Sequence, residues 1–223
     1  PVSDARTNVI GMLRVLDGAR AGGARKLVFA SSGGTIYGEA DPALLPFDED
    51  TPQRPVSPYG VAKLAGGLYL DVYGALHSLA GTTLALANVY GPRQDPQGEA
   101  GVVAIFAGRL LSGRPCTVLG TGEQTRDFVF VADVTDALLA AAERADSQLL
   151  NIGTGVETSV NDLYRTMAAM VGGPNDPEWG SARPGELDRS ALDPTRAASE
   201  LDWRPVTSLD DGLQATLDWF SDR

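Results

Sequence analysis

Two short runs constrain the fold of this 223-residue chain more than any other feature: residues 26–31, K-L-V-F-A-S, and residues 82–88, T-T-L-A-L-A-N. A strand with one wet face alternates apolar and polar residues. Runs that do not alternate fit strands covered on both faces, as in a parallel sheet packed between helices. Each run follows a stretch of helical spacing. Over residues 4–20, Val9, Leu13 and Leu16 share a face, Asp4 stands where an N-cap belongs, and Gly22-Gly23 stops the helix. Residues 59–77 form the second helix. Helix, strand, loop, helix and strand at these spacings imply an α/β layer fold with right-handed crossovers.

The second half has a different texture. Helix is expected over 102–111, 134–144, 195–201 and 209–220, and strand over 115–119, 127–131 and 149–152. Gly120-Thr121-Gly122 and Gly153-Thr154-Gly155 read as turns. Ser159 or Asn161 is placed to cap a helix running to Val171. A Pro/Gly-rich loop spans 172–185. Trp203, Trp219 and Phe220 are expected in the core, Cys116 as a small buried hydrophobe and His77 on the surface.

Composition removes whole classes of function. Eighteen basic against 29 acidic residues leave a formal charge of −11, a poor match for nucleic acid or anionic lipid. A single cysteine excludes an internal disulfide and a cysteine-based zinc cluster, and a single histidine argues against a Ser-His-Asp hydrolase and a poly-histidine metal site. No metal site is expected. No apolar run reaches membrane-spanning length and the first residues lack signal-peptide character, so the expected compartment is the cytoplasm. The chain has no methionine at position 1 and opens in helical sequence, so it reads as part of a longer polypeptide.

The motif with most chemistry is Tyr59-Gly-Val-Ala-Lys63. Spacing of i,i+4 puts phenol and ammonium on one helix face. A nearby cation favours phenolate, so a tyrosine that ordinarily titrates near ~10 becomes a usable base closer to neutrality. Alone the pattern is common, and its ordinary meaning is a surface lysine lying along a half-buried tyrosine. Context adds to it. Tyr37 closes the segment Ser31-Ser-Gly-Gly-Thr-Ile-Tyr-Gly38, directly after an apolar run, where α/β proteins place their sites.

Five segments come in a telling order: Ser31-Ser-Gly-Gly-Thr-Ile-Tyr-Gly38, Ser57-Pro-Tyr-Gly-Val-Ala-Lys63, Ala87-Asn-Val-Tyr-Gly-Pro-Arg93, Gln124-Thr-Arg-Asp-Phe-Val-Phe-Val-Ala-Asp133 and Arg183-Pro-Gly-Glu186. Together they resemble the extended short-chain dehydrogenase/reductase family, most closely its UDP-sugar epimerase branch, over nearly the whole chain. The resemblance implies the C-terminal part of a doubly wound, Rossmann-like parallel-sheet domain over 1–90. A smaller α/β substrate-binding domain follows over 91–223, with returns to the sheet near 128–142. It implies NAD as cofactor, a UDP-sugar as substrate, a homodimer, and epimerisation at C4 of a UDP-hexose, N-acetylated or not, through a 4-keto intermediate. A 4-keto reductase, a 4,6-dehydratase and a chain that binds UDP-sugar without catalysis are the alternatives. The dehydratase needs an acid pair where Gly34 and Thr35 stand.

The family's site residues carry over by position. Tyr59, Lys63, Thr35 and Ser32 are the catalytic set, with Asn8, Ser31, Ser32, Tyr59, Lys63 and Ala87 on the cofactor. Asn88, Val103, Val118, Leu119, Arg126, Arg183, Glu186 and Ser190 are on the substrate. Ser190 falls where the family admits or refuses an acetamido group. Arg126 and Arg183 offer planar forks for phosphate; outside the motif context ion pairing with the many carboxylates is the better explanation of them, and within it phosphate is. Two departures stand out. The family's usual catalytic Ser/Thr position, four before Tyr37, is Gly33. The glycine-rich pyrophosphate turn, G-x-x-G-x-x-G, is missing, and with it a first portion of roughly 60–90 residues.

Overall fold

The computed structural model describes residues 1–39, 41–97, 101–182, 185 and 187–222. The chain opens with α1 (Val2–Ala5), a π-helical turn (Arg6–Ile10) and α2 (Gly11–Ala21), one continuous helical rod. Pro1, not Asp4, holds the N-cap position, so Asp4 lies within the first turn. Then come β1 (Lys26–Ser32), α3 (Gly33–Ile36), a 3-10 turn (Pro42–Leu44), α4 (Pro58–His77), β2 (Ala80–Leu86) and β3 (Asn88–Tyr90). The second half runs α5 (Val102–Leu111), β4 (Thr117–Leu119), β5 (Thr125–Arg126), β6 (Phe128–Phe130), α6 (Val131–Glu143), β7 (Gln148–Ile152), β8 (Thr158–Ser159), α7 (Val160–Val171), β9 (Glu178–Gly180), α8 (Thr195–Leu201) and α9 (Leu209–Ser221). The 172–185 loop therefore contains a strand, β9. It pairs in parallel with β4, which fixes a segment rich in glycine and proline.

The main sheet is parallel, in the order β1-β2-β7, with Leu84 of β2 opposite Ala30 and Leu150. β2 is buried through its centre. β1, read from its sequence as covered on both faces, is half-exposed, because it is the edge strand among the described residues. β3 pairs in parallel with β6 and turns the chain from the main sheet into the second half. Leu84, Leu150, Ile152 and Val129 are fully buried against α6, with Trp203 closing that cluster. Each such side chain contributes roughly 1.5–3 kcal/mol of burial free energy. A second core gathers Phe106, Val118, Tyr164, Met167 and Leu213 from α5, β4, α7 and α9. Trp219 and Phe220 are only half-buried at its margin. Ser159 caps α7, accepting the Asp162 N–H.

α4 packs on β1 and β2, and this contact positions the chemistry. Ser57 caps it, its Oγ accepting the Gly60 N–H at 3.1 Å, and Pro58 stands at the first helical position, where its missing N–H costs nothing.

Candidate active site

β1 delivers Ser31 and Ser32 to the C-terminal end of the sheet, and α3 turns the chain back at once. Thr35 Oγ1 donates to the Ser32 carbonyl at 3.3 Å. Tyr37 leaves the loop inward. It is 1% exposed and its hydroxyl donates to Asn151 Oδ1 of β7 at 2.8 Å. Burial, with the nearby Glu49 carboxylate, pushes its phenol well above the ordinary tyrosine value, so Tyr37 keeps its proton at neutral pH and anchors the loop as a hydrogen-bond donor. Asn151 in turn donates to the Phe47 carbonyl at 2.9 Å, and its N–H reaches Glu49 Oε1 at 2.7 Å. The buried Glu49 side chain lies 3.4 Å from the Arg196 guanidinium.

The first turn of α4 lies against this loop. A Cβ on Gly60 would stand 2.8 Å from the Thr35 carbonyl oxygen and 2.9 Å from Pro55 Cβ, so the approach requires glycine. It brings Ser32 and Thr35 to the side of Tyr59, which is 39% exposed in the first turn of a 20-residue helix. Lys63 Nζ donates to the Ala30 carbonyl at 2.9 Å and lies 5.2 Å from the Phe29 ring centre and 5.6 Å from that of Tyr59. Burial lowers its pKa, and Asp4 pulls it back up.

A cleft of about 330 Å³ opens at the C-terminal ends of β1 and β2. That is within the range of about 300–1,000 Å³ over which ligand sites fall. Ser32, Thr35, Tyr59, Ala87, Asn88 and Arg126 all line it, with Val56, Ser57 and Leu187. Asn88 reaches it because β3 begins there, and Arg126 because β5 ends there. A second cleft of about 410 Å³ shares Leu187 with the first and is walled by Leu119, Gly120, Gln124 and Arg189. Arg189 pairs with Glu157, whose carboxyl it holds below the usual range. Two adjoining clefts suit an extended molecule with two ends.

Other residues singled out in the sequence stand elsewhere. Ser31 is 5% exposed, its hydroxyl on the Lys63 carbonyl at 3.2 Å. Asn8 sits in the π-turn and donates to Asp4 Oδ2 at 3.0 Å. Val103 and Val118 are each 1% exposed in the second core. Ser190 is buried and adjoins Gly34, which lines the first cleft. Arg183 and Glu186 lie outside the described residues. Sequence reasoning missed Leu187, Gln124 and Arg189. Gln124 opens one of the segments already singled out and Leu187 follows another, but which side of a loop faces a cleft is decided by packing.

A parallel α/β sheet whose strand ends carry a Tyr-x-x-x-Lys helix, a hydroxyl-bearing loop and an asparagine–arginine wall defines a nucleotide-binding oxidoreductase-type site. The chain belongs to the NAD dependent epimerase/dehydratase family, which matches residues 1–153. It is 48% identical over 224 residues to a UDP-glucose 4-epimerase of Mycolicibacterium smegmatis, covering 100% of this chain and 71% of the relative. The crystal structure of UDP-glucose 4-epimerase from Thermotoga maritima, with UDP-glucose, superposes with a TM-score of 0.97 at 43% identity, over 100% of this chain and 72% of that one. The Thermus thermophilus UDP-glucose 4-epimerase complex with NAD superposes with a TM-score of 0.90 at 40% identity, covering 97% and 70%.

Proposed function

We propose that this chain acts in NAD-dependent epimerisation at C4 of a UDP-hexose, interconverting UDP-glucose and UDP-galactose. The observation that carries the reading is the single cleft in which Tyr59, two hydroxyl residues, Asn88 and Arg126 converge. In the reaction, Tyr59 Oη takes the proton of the sugar 4-hydroxyl and returns it after the 4-keto sugar has turned over. Lys63, one turn along α4, keeps that phenol acidic. Thr35 or Ser32 holds the sugar 4-oxygen by a hydroxyl hydrogen bond, the role left open by Gly33. Asn88 and Arg126, with Arg183, hold the diphosphate by charge-assisted bonds. Leu119 faces the uracil, with Val103 and Val118 supporting it from the core, and Glu186 and Ser190 close the sugar end, where Ser190 leaves room for an acetamido group.

These residues fit the nicotinamide–ribose end of NAD: Ser32, Tyr59 and Ala87 line one wall of the cleft, with Lys63 on the same helix as Tyr59, and Ser31 and Asn8 support that side. Bound NAD supplies the acceptor and then the donor of the C4 hydride. The 223 residues contain no G-x-x-G-x-x-G for the pyrophosphate. Within the chain, residues 1–90 serve the cofactor half and 91–223 mainly the substrate half, β6 and α6 returning to the sheet. Gly34 and Thr35 replace the acid pair a 4,6-dehydratase requires, and reductase and dehydratase relatives are more distant than the epimerases.

An apolar stripe on α4 supports a homodimer. Val61, Leu68, Val72 and Leu76 are 48–71% exposed along one stripe, apolar area that a second copy would cover. Light scattering of the intact protein at twice its chain mass tests this. The setting is galactose metabolism in the cytoplasm, and among the described residues no helix is long and apolar enough to cross a membrane. The deciding experiment is conversion of UDP-galactose to UDP-glucose by the purified intact protein, with NAD measured by absorbance after denaturation. Absence of conversion from protein that carries NAD would overturn the reading.

A further inference from the structure

Asp127 is 1% exposed, sits directly after Arg126, and is used by no step above. Its carboxylate receives the Thr154 N–H at 2.9 and 3.0 Å, the Thr154 hydroxyl at 2.6 Å, the Gly155 N–H at 3.1 Å and the Leu192 N–H at 3.2 Å. Its own backbone carbonyl receives the Asn88 N–H at 2.8 Å. Three separate segments therefore end on one residue. Asn88 and Arg126 are walls of the cleft, and the Leu192 side chain lies where a side chain on Gly33 would have to go.

We infer that Asp127 is a positioning residue: its buried carboxylate and carbonyl hold Asn88, Arg126 and, through Leu192, the Gly33 loop at one fixed spacing. This rests on the proposed UDP-sugar reading of the cleft. The polar groups of Thr154, Gly155 and Leu192 that meet the carboxylate all donate to it, and a carboxylate is the side chain that only accepts. Burial pushes its pKa up, while the surrounding donors pull it back toward the ionised form.

The substitution Asp127→Asn keeps the size but turns one acceptor atom into a donor, so an N–H must face an N–H whichever way the amide turns. Thr154→Val removes the hydroxyl that donates to Asp127 and, with it, the acceptor of the Val156 N–H at 3.2 Å, and Thr154→Ser restores both. Calorimetry with UDP on the intact protein reads the site without turnover, and kinetics with UDP-galactose gives kcat and KM separately. Asp127→Asn should weaken UDP at least tenfold and raise KM by a similar factor, in protein whose near-ultraviolet circular dichroism is unchanged. Thr154→Val should weaken UDP more than twofold, and Thr154→Ser should return it to within twofold of the parent. If Asp127→Asn fails to fold, the Thr154 pair decides alone. A folded Asp127→Asn, or failing that Thr154→Val, with UDP affinity within twofold of the parent would reduce Asp127 to a structural residue and overturn the inference. A parent that binds neither UDP nor UDP-galactose would instead bring down the functional reading, and the inference with it.

Discussion

Gly33 occupies the position at which the resembled family carries a hydroxyl, and the structure says what happens if that hydroxyl is put back. A Cβ on Gly33 would lie 2.3 Å from Leu192 Cδ1, 3.0 Å from Leu192 Cδ2 and 3.1 Å from the Ala85 carbonyl oxygen. Leu192 is fully buried against Ile36, Tyr37, Phe47 and Ala85, so its methyl groups have little space to yield into. Overpacking of this kind costs roughly 1–3 kcal/mol. At about 2–4 °C per kcal/mol for a domain of this size, Gly33→Ser should lower the melting temperature by about 2–12 °C. It should not raise epimerase activity, because the displaced loop also carries Thr35. Leu192→Ala alone should cost roughly 2–5 kcal/mol through lost burial and a cavity. In the double variant the serine fills part of that cavity and the clash is gone, so the combined loss should be smaller than the sum by roughly 0.5–3 kcal/mol. Thermal or urea unfolding of all four proteins completes the cycle. Gly33→Ser melting within about 1 °C of the parent, or strictly additive losses, would refute the claim that Leu192 has taken the space of the missing side chain.

Tyr59→Phe should cut turnover by about 10²–10⁴-fold while UDP affinity stays within a few-fold, and a rate within twofold of the parent would remove Tyr59 from proton transfer. Arg126→Ala should weaken UDP by roughly 1.5–3 kcal/mol, as the loss of a charge-assisted bond requires; unchanged calorimetry would return Arg126 to ordinary ion pairing. Burial raises the Glu49 carboxyl above its ordinary value, despite Arg196. Its contribution to stability is therefore greatest below the unfolded value near ~4.3 and is lost as pH rises through the folded value. The stability advantage of the parent over Glu49→Gln should shrink as pH rises above about 4, and an advantage that grows with pH would contradict the assignment.

Much of this molecule was legible from local rules. The helical spacing over 59–77, 102–111 and 195–201 placed those helices nearly to the residue, and the non-alternating run at 82–88 placed β2 within two residues, because periodicity acts within a few residues of chain. The Tyr59–Lys63 pair was equally local, since one turn of helix sets its geometry. What tertiary structure alone decided involves residues far apart in sequence. β1 pairs with β2 and β7 follows β2 on the other side, an order among the described residues that no local pattern sets, because it depends on which strands pair. β9 forms within a turn-rich loop because β4 offers it a ladder. Asn8 has its geometry from a π-turn that no residue pattern announced. Tyr37 marks the loop in the sequence without a role, and only its bond to Asn151, 114 residues away, makes it an anchor. The same holds for Asp127, whose neighbours in sequence say nothing of Leu192, 65 residues on. A donor and an acceptor that distant meet only when the packed core has removed the water that would otherwise satisfy each of them.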